Sequence, residues 1–348
     1  MNDEGRTGVT IKRSIRMALA TTFAVFATTQ AQSAGVEDFY KGRTITMVIG
    51  YSVGGGYDLY ARALAAHMAK HIPGDPTIVP QNMPGAGSQK VVNYLYSIAA
   101  KDGSVFGTFG RTVALEPLIA KAEFDATKLT WLGSMTDESS ICISRKDSGI
   151  GDWNDLLAKE AKFGGLGPGT DPDIFTQAVN NLFGAKIQLV RGYPGTNELT
   201  LAIERGELAG VCGISYGTLL SRHADWLKDK TINLIFQAGI RKQPDLPDVP
   251  FLIDLAKTDQ QRQVIKLLVA GQGMARPFAA PPDIPADRAA ALRAAFEATL
   301  KDPDFLAQAK TAKMEINPVS AGTIQTMLTE IYATPKDIVA KAAAAMAN

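Results

Sequence analysis

The sequence predicts an α/β protein of two lobes joined by a hinge. Three observations point to it. Short β-branched runs alternate with helical patterns over most of the chain. The 348 residues exceed the roughly 250–300 at which a single hydrophobic core stops growing. Two stretches, Trp131 to Asp137 and Pro-rich Gln243 to Pro250, are candidate crossings between lobes. Two crossings make one lobe discontinuous, as a two-strand hinge requires. The expected organisation is residues 1–34 as a leader, 35–135 with 239–348 as lobe 1, and 136–238 as lobe 2.

The leader reads as a secretory signal peptide. Lys12, Arg13 and Arg16 precede the apolar run Met17 to Ala27, and the small residues Ala31, Ser33 and Ala34 offer cleavage at 31 to 34. The apolar run is too short for a permanent span, and no later stretch reaches the roughly 18 uninterrupted apolar residues that a span needs. A soluble, exported, periplasmic protein is expected. With 36 basic and 35 acidic residues the net charge is +1, a balance that attracts neither nucleic acid nor an anionic membrane surface.

Strands are expected at Thr44 to Ile49, Thr77 to Val79, Val105 to Phe109, Ile141 to Ser144, Ile187 to Val190, Leu208 to Cys212 and Asn233 to Phe236, each bounded by Gly, Pro or Asp. Helices lie between them. In Asp58 to His71 one face repeats Tyr60, Leu64 and Met68, and in Asn197 to Arg205 one face repeats Leu199, Ala202 and Ile203. This alternation predicts parallel sheets covered by helices. From Pro285 the chain turns Ala-rich and helical, with Asp302-Pro303 placed to open a helix as N-cap and first residue. Cys142 and Cys212 both sit in strand-like runs. Export permits a disulfide between them, and two buried thiols fit the pattern equally well.

Four strand ends run into glycine-rich turns that open helices: Tyr51 to Asp58, Asn82 to Ser88, Gly164 to Asp171 and Gly192 to Asn197. Each sets free N–H groups and the positive end of a helix dipole at the carboxyl edge of a sheet, where open α/β sheets bind ligands. One such loop is most often only a cap; four, spread over both halves, point to an anion clamp. The first lacks the G-x-G-x-x-G spacing of a dinucleotide loop, and no cofactor is expected. Gly213-Ile214-Ser215-Tyr216-Gly217 matches a nucleophile elbow. The only later histidine, His223, falls in the very next helix, whereas the elbow takes its base from a distant loop. Ser215 is therefore expected to line the cleft or cap its helix, with an exported hydrolase as the alternative function. His67 and His71 lack a third ligand, so no metal site is expected. Arg111, just past a strand end, either grips a ligand carboxylate or is an exposed structural arginine.

At these loops the sequence resembles a known family, the receptor component of tripartite tricarboxylate transporters, or Bug-type extracytoplasmic solute-binding proteins. The resemblance is carried by Ile45 to Ile49 leading into Gly54-Gly55-Gly56-Tyr57-Asp58 and Arg62, by Asn82-Met83-Pro84-Gly85-Ala86-Gly87, Asp102-Gly103, Gly192-Tyr193-Pro194-Gly195, Leu246 to Pro250 and Asp302-Pro303. It implies a type II periplasmic-binding-protein fold that closes over its ligand, and a non-enzymatic role. The implied ligand is a small carboxylate, a di- or tricarboxylate or an aromatic acid, delivered to one large and one small membrane subunit by a monomeric receptor. The implied wall in lobe 1 is Ser52, Gly54, Gly55, Tyr57, Asp58, Asn82, Gly85, Ala86 and Gly87. The facing wall is Gly167, Gly169, Thr170, Tyr193, Pro194, Gly195 and Ser215. Asp58 is expected to cap its own helix or to hold a water or a ligand donor, since its charge repels an anion.

Overall fold

A computed structural model describes residues 35–347; the expected signal segment 1–34 lies outside them. After a helical stretch at 35–40, the first half of the chain runs β1 (Thr44–Ile49), α1 (Gly56–Met68), β2 (Thr77–Asn82), α2 (Gln89–Ser97), β3 (Val105–Thr108), α3 (Glu116–Ile119), β4 (Thr130–Ser134), β5 (Ser140–Arg145), α4 (Trp153–Ala158), β6 (Glu160–Gly164) and α5 (Asp171–Phe183). It continues with β7 (Lys186–Val190), α6 (Thr196–Glu204), β8 (Gly210–Ser215), α7 (Tyr216–Arg222), α8 (Ala224–Lys228), β9 (Ile232–Ala238), α9 (Asp259–Val269), β10 (Pro277–Ala280), α10 (Ala286–Thr299), α11 (Pro303–Thr311), β11 (Val319–Ser320), α12 (Ala321–Tyr332) and α13 (Lys336–Ala345). Among the described residues no helix is long and apolar enough to cross a membrane.

The strands form two sheets, one in each lobe, in the orders β11-β4-β10-β3-β1-β2 and β7-β6-β8-β5-β9. The expected parallel sheets are in fact mixed. β1 is parallel to β2 and β3, and β6 to β7 and β8, where a helix carries the chain back. β10 runs antiparallel to both β3 and β4, and β5 antiparallel to both β8 and β9. The reason is topological: β5 and β10 enter their sheets from the other lobe, so no crossover helix fixes their direction.

Alternation along β1 sends Ile45, Met47 and Ile49 to one face, against Tyr60, Leu64 and Met68 of α1, and Val48 to the other, against Leu95 and Phe109. Both faces are thus buried, and the glycine that follows each such strand emerges at the sheet edge. Leu199, Ala202 and Ile203 of α6 form the buried stripe over the second sheet. The Pro-rich stretch 243–250 lies along β9, because the Gln237 side chain donates to Leu246 O at 2.9 Å and Val249 O at 2.8 Å. Asp302 caps α11, accepting from the N–H groups of Asp304 and Phe305. Cys142 and Cys212 face each other across β5 and β8 and are joined in a disulfide.

Candidate functional site

The first loop is held open by Asp58. Gly54, with φ at +91°, turns the chain so that its N–H donates to Asp58 Oδ2 at 3.0 Å, while Oδ1 accepts from Asn82 Nδ2 at 2.8 Å and Arg62 Nε at 2.9 Å. Asn82 also donates to Tyr51 O and accepts from Arg62. Asp58 and Asn82 therefore build the loop and do not face the cavity. Asp58→Ala is expected to cost roughly 1–3 kcal/mol, the penalty of leaving the Gly54 and Asn82 donors unmet, in urea melts, with ligand affinity kept.

Loops from the two lobes meet in pairs. Ser52 Oγ donates to Glu198 Oε2 at 2.7 Å, and a side chain at Gly195 would overlap that hydroxyl. Gly87 (φ +60°) lies so close to the third loop that a Cβ would come within 2.5 Å of Thr170 Cγ2, and a Cβ on Gly167 within 3.5 Å of Gly87 N. Thus 52–55 face 195–197, and 85–87 face 167–170. Gly54 and Gly55 line a groove on the outer side of the junction, with Asn197 and Arg222. Gly85 and Ala86, both at positive φ, shape their own turn. Tyr193 is half-buried and Pro194 exposed, and neither lines the inner cavity.

That cavity, about 30 Å3, lies between the sheets and is lined by Tyr57, Arg111, Thr170 and Ser215 from the expected set. Its other charged walls, Asp171 and Arg276, lie outside that set. Arg111 is neither exposed nor free: only 4% accessible, it pairs through Nε with Asp171 Oδ2 at 2.8 Å and through a terminal nitrogen with Glu138 Oε1 at 3.3 Å. Its other terminal nitrogen donates to Ser215 Oγ at 2.6 Å. Arg276 pairs with Glu138 at 2.9 Å, donates to Thr218 Oγ1, and lies over the rings of Tyr57 and Tyr60. Ser140 and Gln272 donate to Asp171 Oδ2. Two cations and two carboxylates thus balance where the lobes meet. Among the described residues, two buried atoms of the cluster have no hydrogen-bond partner, Asp171 Oδ1 and Arg276 Nε. Tyr57 stacks on Tyr51, accepts from Arg111 N–H and donates to Ala275 O; burial pushes its hydroxyl pKa up, so it stays neutral.

Ser215 ends β8 and donates to Glu138 Oε1 at 2.6 Å. It stands at the N-cap of α7, but its side chain makes no cap bond. His223 follows α7, its ring tilted against Trp226 and its pKa pushed down to about 4 by burial. No histidine is hydrogen-bonded to Ser215 among the described residues, and the alternative of a hydrolase has no support. His67 and His71 bond Gln308 and Asp302, and the described residues hold no metal-binding group of three or more.

A second cavity of about 230 Å3 adjoins the first, sharing Thr112 in its wall, with Glu116 and Gly169 beside it. Burial alone pushes Glu116 up to about 7; Glu315, desolvated and near Glu138 and Asp245, also rises to about 7. A raised carboxyl favours the fold while protonated. That stabilisation is complete below the unfolded value near 4.5 and is lost as pH rises through about 7. Denaturant midpoints are expected to fall between pH 5 and pH 8, and Glu116→Gln to remove a part on the order of 1–3 kcal/mol.

No family model matches the chain. It is 26% identical over 246 residues to the UPF0065 protein in the gbd 5′ region of Cupriavidus necator, covering 69% of this chain and 72% of that protein. Among solved structures it is similar to the periplasmic binding protein BugD (TM-score 0.70, 18% identity, 87% of this chain and 98% of that one). It is also similar to MatC from Rhodopseudomonas palustris with bound malate (0.66, 21%, 85% and 99%). A third, from R. palustris with adipate, gives 0.67, 19%, 87% and 97%.

Proposed function

We propose that this chain, which has the two-lobed fold of the Bug- and TctC-type periplasmic binding proteins, is an extracytoplasmic solute receptor and not an enzyme. It captures a small carboxylate between its lobes and hands it unchanged to a tripartite tricarboxylate-type transporter of one large and one small membrane subunit. It does so as a periplasmic monomer after loss of residues 1–34. The observation that carries the reading is that three of the four glycine-rich loops, through Tyr57, Thr170 and Thr196, bring helix N-termini from both lobes to one cavity that holds Arg111. Closure then gains contacts in both lobes at once, so the ligand draws the equilibrium toward the closed form by its differential affinity. The 30 Å3 cavity has room for about two waters. A carboxylate is therefore admitted by parting the lobes and competing with Asp171 for Arg111.

The test is a thermal-shift screen of the mature protein with malate, adipate, citrate and benzoate. One is expected to raise the melting temperature, by about 2.7 kcal/mol of added stability at a hundredfold excess over Kd, and to be recovered chemically intact. Melting curves unmoved by every acid would overturn the carboxylate reading.

A further inference from the structure

Glu116 is the buried acid that the cleft leaves unanswered. It opens α3, is 6% accessible, and lines the 230 Å3 cavity. Among the described residues no hydrogen bond or ion pair reaches its carboxylate; only its backbone carbonyl is bonded, accepting from Ala120 N–H. Burial without a partner is costly for a carboxylate unless something supplies the counter-charge. The neighbouring ions do not. Asp173, across the cavity, is held by Arg191 in an ion pair, and the inner cluster around Arg111 is balanced within itself. Ile119, Ile174 and Met346 make much of the remaining wall apolar. Gly169, at φ +81°, keeps the space beside Glu116 clear, since a Cβ there would come within 3.9 Å of Glu116 Oε2 and 3.6 Å of Gln89 Nε2.

Thr112 stands between the two cavities. Glu116 follows Arg111 by five residues through a tight helical turn, a rise of roughly 8–10 Å. We propose that this second chamber takes the body and the cationic end of the ligand, so that the solute is an amino acid whose ammonium is separated from its carboxylate by an apolar spacer. This rests on the carboxylate reading for its other end. The ammonium meets Glu116, the spacer lies against Ile119 and Ile174, and the carboxylate reaches the Arg111 side past Thr112. Such a ligand adds no net charge to a balanced cleft. Because Glu116 titrates near 7, it ionises readily for an incoming ammonium at neutral pH.

Isothermal titration of the mature protein at pH 8 with 6-aminohexanoate, hexanoate and hexylamine tests this, alongside Glu116→Gln with its fold checked by melting. The expected result is 6-aminohexanoate binding at least tenfold more tightly than hexanoate, with the advantage lost in E116Q. Equal affinity for the two acids, or an advantage that survives in E116Q, overturns the inference and leaves carboxylate capture standing. Hexylamine binding that E116Q abolishes, with both acids silent, shows a cation site at Glu116 but overturns the amino-acid ligand, and the thermal-shift panel decides the carboxylate reading. Silence of all three probes overturns the inference, and the thermal-shift panel then decides the carboxylate reading separately.

Discussion

Arg111→Ala is expected to lower stability by about 3–5 kcal/mol, the cost of breaking a buried ion pair from one side. The variant leaves Asp171 with only the Ser140 and Gln272 donors, and leaves Ser215 without the nitrogen that donates to it. Glu138 keeps Arg276, Ser215 and Gly217 N–H, so the loss falls mainly on Asp171. Asp171→Ala relieves that burden. The double variant should therefore lose less than the two single losses added, with a coupling of roughly 1–3 kcal/mol. Urea melts of the four proteins measure it. Arg111→Ala within 1 kcal/mol of wild type, on the scale set by buried pairs, would mean that solvent already reaches the cluster. Carboxylate affinity should fall in the same variant.

Removing the disulfide gives the second large effect. Cys142 and Cys212 are 70 residues apart, and cross-linking a loop of that length stabilises by about 4 kcal/mol on the chain-entropy account. Measured losses for native bridges run from roughly 2 to 5 kcal/mol. Cys142→Ala with Cys212→Ala should sit in that range and should match wild type under reducing conditions. Thiol titration of the unreduced, denatured protein should find none free. An unchanged midpoint in the double variant would show that the β5–β8 ladder holds the register alone.

The glycine loops were legible because their signals are local. A glycine at positive φ and an acid at a helix start can be read within a few residues, and the buried faces of α1 and α6 follow from periodicity alone. The charged cluster was not legible, because its four members come from four segments: Arg111 after β3, Glu138 between β4 and β5, Asp171 at the start of α5 and Arg276 before β10. Each looks ordinary in its own neighbourhood. Arg276, directly before Pro277 in an otherwise apolar run, was the one faint signal. The strands missed have similar causes. β6 carries Glu160 and Lys162 at exposed or half-exposed positions, and β10 is Pro-Phe-Ala-Ala, with little β-branched character. β4 ends in Gly133-Ser134 and resembled a crossing. Mixed strand direction was hidden because alternation reports crossovers, not entries from another lobe.

The position of β10 has a consequence for how the chain can assemble. All five strands of the second sheet lie between residues 140 and 238, one unbroken stretch, whereas the first sheet has β10 (277–280) lodged between β3 and β4. Synthesis proceeds from the N-terminus, so the second sheet can close while the first still has a gap at its centre. β3 and β4 must wait, unpaired on their facing edges, until residues 277–280 emerge. Such long-range pairing is slow. A chain whose first sheet cannot be completed until its last third arrives keeps that sheet open longest in the part that emerges first, which agrees with the export before folding proposed above.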